Sequence, residues 1–383
     1  MSNNSSHGLQ RWQSFRLQMP VTEKWAYFDH AAVAPLPAPS EQAIVAWAHQ
    51  VAREGDTCWP AWNRRVEEAR GLAARLLGAD EAEVALVHST TEGISLVAEG
   101  FPWRAGDNVV TPANEFPSNL YPWMNLAARG VETRRVPVEG GRLDLDRLEA
   151  ACDARTRMIS VSWVGYLSGW RVDLDALVAL ARRRGALLFV DAIQGLGVFP
   201  LDVKATPIDF LAADGHKWLL GPEGAGLFYT RREHLDLLRP LGVGWHSVEH
   251  AGDYGRIELK LKSSAARYEG GTQNMAGFIG LAESLERLLD LGTAAIAERV
   301  LDIADLACRR LREAGAVIAS PHDGPHRSGI VAFELPGEDA TTVRQRCLAA
   351  GVVLSARSGK LRISPHAYVN EADVERLIAA LAG

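Results

Sequence analysis

Seven strand-length apolar runs, interleaved with amphipathic helical segments, constrain this chain more than any other feature. They are Val84–Val87, Asn108–Thr111, Val131–Val136, Met158–Trp163, Ala186–Val190, Ile208–Ala212 and Gly226–Tyr229. Between them lie helical patterns. Val66, Ala69, Ala73, Leu76 and Leu77 share one helix face and stop at Gly78, and Asp173-Leu174-Asp175 opens a helix that runs to Arg184 and ends at Gly185. Strands alternating with crossover helices predict an α/β fold, a mostly parallel sheet covered on both faces. Catalytic loops then gather beyond one edge of that sheet. After about Leu281 the pattern changes. Helical stretches over Leu281–Leu291 and Ala294–Ala314 lead into short strands at Ile330–Phe333, Val352–Leu354 and Leu361–Ile363, with a last helix over Glu371–Leu381. That is the pattern of a small α+β domain.

A chain of 383 residues exceeds one ordinary core, so a large domain with a smaller one is the expected plan. A net charge of −6 argues against a general nucleic-acid binder. The arginine run Arg182-Arg183-Arg184 closes a predicted helix, where cations suit the dipole. Cys58, Cys152, Cys308 and Cys347 form no CxxC pair and no metal-ligand spacing, so reduced thiols and no metal are expected. The polar opening Met1–Gly8 has no apolar core of a signal peptide, and no apolar run is long enough to span a bilayer. A cytoplasmic protein without membrane or nucleic-acid partners is expected.

The chemistry centres on Asp214-Gly215-His216-Lys217-Trp218, which follows Leu187-Leu188-Phe189-Val190-Asp191-Ala192-Ile193-Gln194. A lysine just after one buried strand and an aspartate ending another are the two groups that hold pyridoxal 5′-phosphate. The amine condenses with the aldehyde, and the carboxylate keeps the pyridine nitrogen protonated. Taken alone, the lysine could equally be a solvated loop residue and the aspartate a helix cap. Ser89-Thr90-Thr91-Glu92-Gly93 follows a predicted strand and opens a helix, which presents backbone N–H groups and hydroxyls to a phosphate. It could also be a plain N-cap with Glu92 completing a capping box.

Together and in this order, the three motifs resemble the class V aminotransferase and cysteine desulfurase family, whose fold is the fold-type-I pyridoxal-phosphate architecture. The resemblance runs from Tyr27-Phe28-Asp29-His30-Ala31-Ala32 to Leu361-Arg362-Ile363-Ser364-Pro365. It implies a large domain with a seven-stranded sheet over residues 36–285, a small domain over 286–383, and an N-terminal arm over 1–35 packing with the latter. It further implies Lys217 as the Schiff-base lysine and Cα base, Asp191 at the pyridinium nitrogen and Gln194 at the ring hydroxyl. Thr90, Thr91 and His216 would contact the phosphate, and Phe116, in Glu115-Phe116-Pro117-Ser118-Asn119, would stack on the ring. Thr272 would reach the phosphate of a neighbouring subunit, so a homodimer with shared sites is implied. Arg362 would bind the substrate carboxylate as a two-pronged pair, with His30 and Arg357 also assigned to substrate binding.

Three departures restrict the activity. The desulfurase nucleophile is a cysteine on a mobile loop before the carboxylate-binding arginine, whereas Ser355–Lys360 holds none and reads as a shortened loop. Cys347 falls in a predicted helix. Asp214 stands where many relatives carry a phosphate-binding serine, so it is expected to turn toward His216 or a backbone amide. Trp163 and Tyr166 stand where desulfurases put an asparagine, and are expected to narrow the pocket. The expected function is action on a small amino acid through an external aldimine and Cα deprotonation, as a β-eliminating C–S-type lyase. A class V aminotransferase or an isopenicillin-N-epimerase-like epimerase are the alternatives, and a cysteine desulfurase fits less well.

Overall fold

The computed structural model describes residues 2–322 and 324–382. Thirteen strands occur among them: β1 (Ala26–Tyr27), β2 (Val84–Val87), β3 (Asn108–Pro112), β4 (Glu132–Val136), β5 (Thr156–Ser162), β6 (Leu187–Asp191), β7 (Phe210–Asp214), β8 (Gly226–Thr230), β9 (Val317–Ile318), β10 (Val331–Glu334), β11 (Val352–Val353), β12 (Ser355–Arg357) and β13 (Lys360–Ile363). The seven expected strands form one sheet in the order β2-β8-β7-β6-β5-β3-β4. Only β8 opposes its neighbours, pairing antiparallel with both β2 and β7. β2 therefore runs the same way as β7, and the strands from β3 to β7 are mutually parallel. The α/β, fold-type-I expectation is borne out. Five strands, β2, β3, β6, β7 and β8, are buried along almost their whole length, as a sheet covered on both faces requires.

Helix ends follow local chemistry. The helix Trp59–Leu77 stops at Gly78, whose φ of 66° is a left-handed conformation suited to a residue without Cβ, and Leu174–Arg184 stops at Gly185 in the same way. Asp173 caps the latter helix by accepting from Ala176 N at 3.1 Å. The helix Thr90–Gly100 lies on β7, and Gly93 permits the approach: a Cβ there would stand 2.6 Å from the Ala212 Cβ. Gly93→Ala is expected to destabilise the fold by about 1–3 kcal/mol through overpacking, read from the midpoint of urea unfolding.

A second, four-stranded sheet, β12-β13-β10-β9, forms near the C-terminus. β1 pairs in parallel with β11 (Ala26↔Val352, Tyr27↔Val353), and a bridge joins Asp29 to Ser364. The N-terminal segment is thereby stitched to the small sheet. The helix Met275–Leu291 crosses residue 285, the expected end of the large domain. No helix among the described residues is long and apolar enough to cross a membrane.

Candidate active site

Because β2, β5, β6 and β7 run the same way, their C-terminal ends deliver side chains to a single sheet edge. A cavity of about 590 Å³ opens there, lined by Thr90, Thr91, Phe116, Asp191, Gln194, His216, Lys217, Arg357 and Arg362 together with neighbouring residues. The fold thus brings together nine of the eleven residues singled out in the sequence. Thr272 and His30 lie outside the lining.

At one end, Ser89 is the N-cap of the helix Thr90–Gly100, accepting from Glu92 N at 3.1 Å. Glu92 Oε2 accepts in turn from His88 N at 2.6 Å. Capping therefore holds the turn. Thr90 Oγ1 accepts from Asp214 N at 2.9 Å and Thr91 Oγ1 donates to Ser118 Oγ at 2.9 Å. The first-turn amides of such a helix have no intrahelical partner. Asp214 turns inward as expected: its Oδ1 accepts from Gly215 N at 2.7 Å. His216 Nδ1 lies 3.0 Å from Asp214 Oδ2, but off the hydrogen-bond direction, and is buried without a partner.

In the middle, Asp191 is buried at the end of β6 and accepts from Ile193 N at 3.1 Å. Burial pushes its carboxyl up to about 6, against the pull of that amide and of Lys217. Lys217 is pushed down to about 8, chiefly by burial, with Asp191 opposing and Arg362 assisting. Its Nζ stands 5.6 Å from the centroid of the Phe116 ring, which meets Tyr166 edge-on at 5.2 Å. Gln194 Nε2 donates to Ala31 O at 3.0 Å, and its Oε1 accepts from Trp218 Nε1 at 2.8 Å, so the residue after the lysine orients the amide.

At the other end, Arg362 is buried on β13. Its Nη1 donates to Tyr166 O at 2.7 Å, its Nη2 lies 3.2 Å from Asp29 Oδ1, and its Nε is buried without a partner. Ser355 Oγ donates to Asp29. Arg357 ends β12. It is followed by Ser358 and Gly359, whose φ values of 50° and 77° make the two-residue turn of a tight hairpin into β13.

Three expectations change. His30 was assigned to substrate binding, but it is fully buried with both ring nitrogens engaged: Nδ1 with Ser364 O at 2.8 Å and Nε2 with the Tyr368 hydroxyl at 2.7 Å. Burial, then His366, holds its pKa well below the ordinary value. It braces Trp218, 6.0 Å away ring to ring, behind the site. Trp163 does not narrow the pocket. It is core, packed against Phe199 and against Gly195, where a Cβ would meet its ring at 2.5 Å. Ser355–Lys360 is a hairpin, not a loop.

The residue missed in the sequence is Glu115. Its carboxylate accepts from Ser162 N at 2.7 Å and from Ser162 Oγ, at the strand end that pairs with Asp191. Burial, with Asp191 adding to it, pushes its pKa up to about 7. Its place beside Phe116 was the available signal, but an acid in a predicted loop carries no mark of burial.

This donor set fits pyridoxal 5′-phosphate. A buried carboxylate and amine share one cavity, a helix N-terminus closes one end, and a guanidinium with an orphaned Nε closes the other. No cysteine lines the cavity. Cys347 is fully buried in the helix Ala340–Ala349, with its thiol pushed up to about 11.

The pattern of the Aminotransferase class-V family matches residues 26–377. A protein named probable cysteine desulfurase from Methanothermobacter thermautotrophicus is 34% identical over 289 residues, 74% of this chain and 71% of its own. The apo structure of a cysteine desulfurase from Thermococcus onnurineus NA1 superimposes with a TM-score of 0.87 at 26% identity, covering 96% of both chains. The cystine C–S lyase C-DES, solved with cysteine persulfide, matches in fold with a TM-score of 0.89 at 23% identity, over 95% of this chain and 99% of its own. The chain belongs to the class V aminotransferase family and is a pyridoxal 5′-phosphate-dependent enzyme.

Proposed function

We propose that this enzyme takes a small amino acid bearing sulfur, or a similar leaving group, at Cβ and performs β-elimination. The bound cofactor supplies an electron sink for the pair left on Cα. Lys217 would anchor the cofactor, and its amine would take the Cα proton. A lysine pushed down to about 8 has enough neutral amine near pH 8 for that work. Asp191 would keep the pyridine nitrogen protonated and Gln194 would meet the ring hydroxyl. Phe116 would cover one ring face, and Thr90, Thr91 and His216 would hold the phosphate. Arg362 grips the substrate α-carboxylate. The Cα–H and Cβ–substituent bonds break, the substituent leaves with its electron pair, and water converts the released enamine to pyruvate and ammonia.

The observation that carries this reading over sulfur abstraction is the tight Ser355–Ile363 hairpin, with no thiol at the cavity it covers. A persulfide step needs an accessible thiolate beside the substrate sulfur. The relatives' names, cysteine desulfurase and cystine C–S lyase, both point to C–S chemistry. Incubating the holoenzyme with cysteine, cystine and S-alkylcysteines and identifying the products by mass spectrometry tests the reading. Pyruvate with ammonia is expected, and Cys347→Ser is expected to leave the rate within about twofold. Alanine as the main product, lost on changing Cys347, would overturn it.

The division into an arm over 1–35, a large domain over 36–285 and a small domain over 286–383 belongs to this reading. So does a cytoplasmic homodimer, consistent with four unpaired cysteines. Thr272 is exposed and outside the cavity, so a phosphate contact from it requires a second copy. Sedimentation velocity measures this directly, and a monomeric holoenzyme would remove Thr272 from the site.

A further inference from the structure

We propose that the substrate's far end carries a carboxylate, received in a second cavity beside the hairpin with Arg357 as its counter-ion. This rests on the lyase reading, and names the substrate class for the same site. A cavity of about 410 Å³ shares Leu167, Arg357, Ser358 and Arg362 with the first, so the same residues wall both spaces. Three cations stand there, and two are compensated within the fold. Arg362 lies 3.2 Å from Asp29, and Lys360 pairs with Glu334. Among the described residues no carboxylate pairs with Arg357.

Arg357 is not left to swing on a flexible loop. The two-residue turn over Ser358 and Gly359 pins its backbone to β13, and the residue lines both cavities. The charge of Arg357 also bears on Lys217 and on Arg362, depressing both. An anion at Arg357 relieves that repulsion. The rest of the second cavity includes apolar side chains, Leu167, Ala319 and Ala332. An apolar spacer ending in a carboxylate therefore matches the space: a methylene or thioether chain against the aliphatic wall, and the charge against the guanidinium. Arg362, with its buried Nε unpaired, remains for the α-carboxylate.

The test titrates the holoenzyme with S-(2-carboxyethyl)cysteine and with S-butylcysteine, a near-isostere without the second charge, following the absorbance of the bound cofactor. The carboxylated ligand is expected to bind at least about tenfold more tightly, the scale of one charged hydrogen bond at a partly exposed site. In Arg357→Gln that preference is expected to fall to within about twofold. In Lys360→Gln it persists, since that charge is already paired. Equal affinities in the native enzyme, or a preference that survives Arg357→Gln, would overturn the proposal. Pyruvate is assayed in the same samples. An Arg357-dependent preference without pyruvate sinks the lyase reading and leaves the subsite standing, whereas pyruvate from both ligands at equal affinity does the reverse.

Discussion

Lys217→Ala is expected to reduce turnover by about 10⁴-fold or more, since in the proposed function one side chain would both anchor the cofactor and move the Cα proton. The variant should also lose the visible absorbance of the lysine–cofactor link while still binding cofactor through the remaining contacts. The same substitution is expected to stabilise the cofactor-free protein. Burial lowers the folded amine to about 8 from its ordinary 10.5, so between those values the native state holds fewer protons than the unfolded chain. Stability therefore rises with pH across that window, and below it the buried charge costs roughly 3 kcal/mol. Chemical denaturation of cofactor-free native protein and variant at pH 7 and pH 10 reads this. A variant no more stable than the native chain at pH 7 would contradict the burial argument.

Asp191→Asn carries the second large effect. An amide cannot hold a proton on the pyridine nitrogen by charge, so turnover is expected to fall by about 10²–10⁴-fold with the cofactor still bound. The stability sign is the opposite of the ordinary aspartate. Its carboxyl is pushed up from 3.8 to about 6, so the native state holds more protons between those values and stability falls as pH rises through that window. Above pH 6 the buried carboxylate costs about 3 kcal/mol. Asp191→Asn should then unfold at higher denaturant concentration than the native chain at pH 8, and at a similar concentration near pH 4. Glu115, pushed up to about 7, adds a slope of the same sign, so the cofactor-free native chain should itself lose stability between pH 4 and pH 7. A flat profile would mean that water reaches these acids.

Much of the fold was legible because it is local. Runs such as Val84–Val87 and Gly226–Tyr229 are apolar throughout, and their lengths separate strands from helices. Gly78 and Gly185 mark helix ends through their left-handed backbone, which a sequence advertises as glycine. What stayed hidden depends on partners far along the chain. β1 is two residues long and exists because β11, more than 300 residues later, supplies its hydrogen bonds. β12 read as a loop because Ser355-Ala356-Arg357 has no apolar pattern, and its register comes from β13.

The site divides in the same way. The sequence by itself determined the cofactor: Lys217, Asp191 and the Thr90-Thr91 helix start are motifs in which neighbouring residues carry the chemistry. Tertiary structure alone decided the surroundings. His30 looked available, yet Ser364 and Tyr368 take both its nitrogens; Trp163 looked like a pocket wall, yet the bare backbone of Gly195 draws it into the core. Which charges are already neutralised was also decided there. Asp29 reaches Arg362, Glu334 reaches Lys360, and nothing among the described residues reaches Arg357. Ion pairing acts over a few ångströms in space and takes no account of distance along the chain. For that reason the cofactor and the candidate substrate cations could be read from the sequence, whereas which of those cations the fold leaves uncompensated could not.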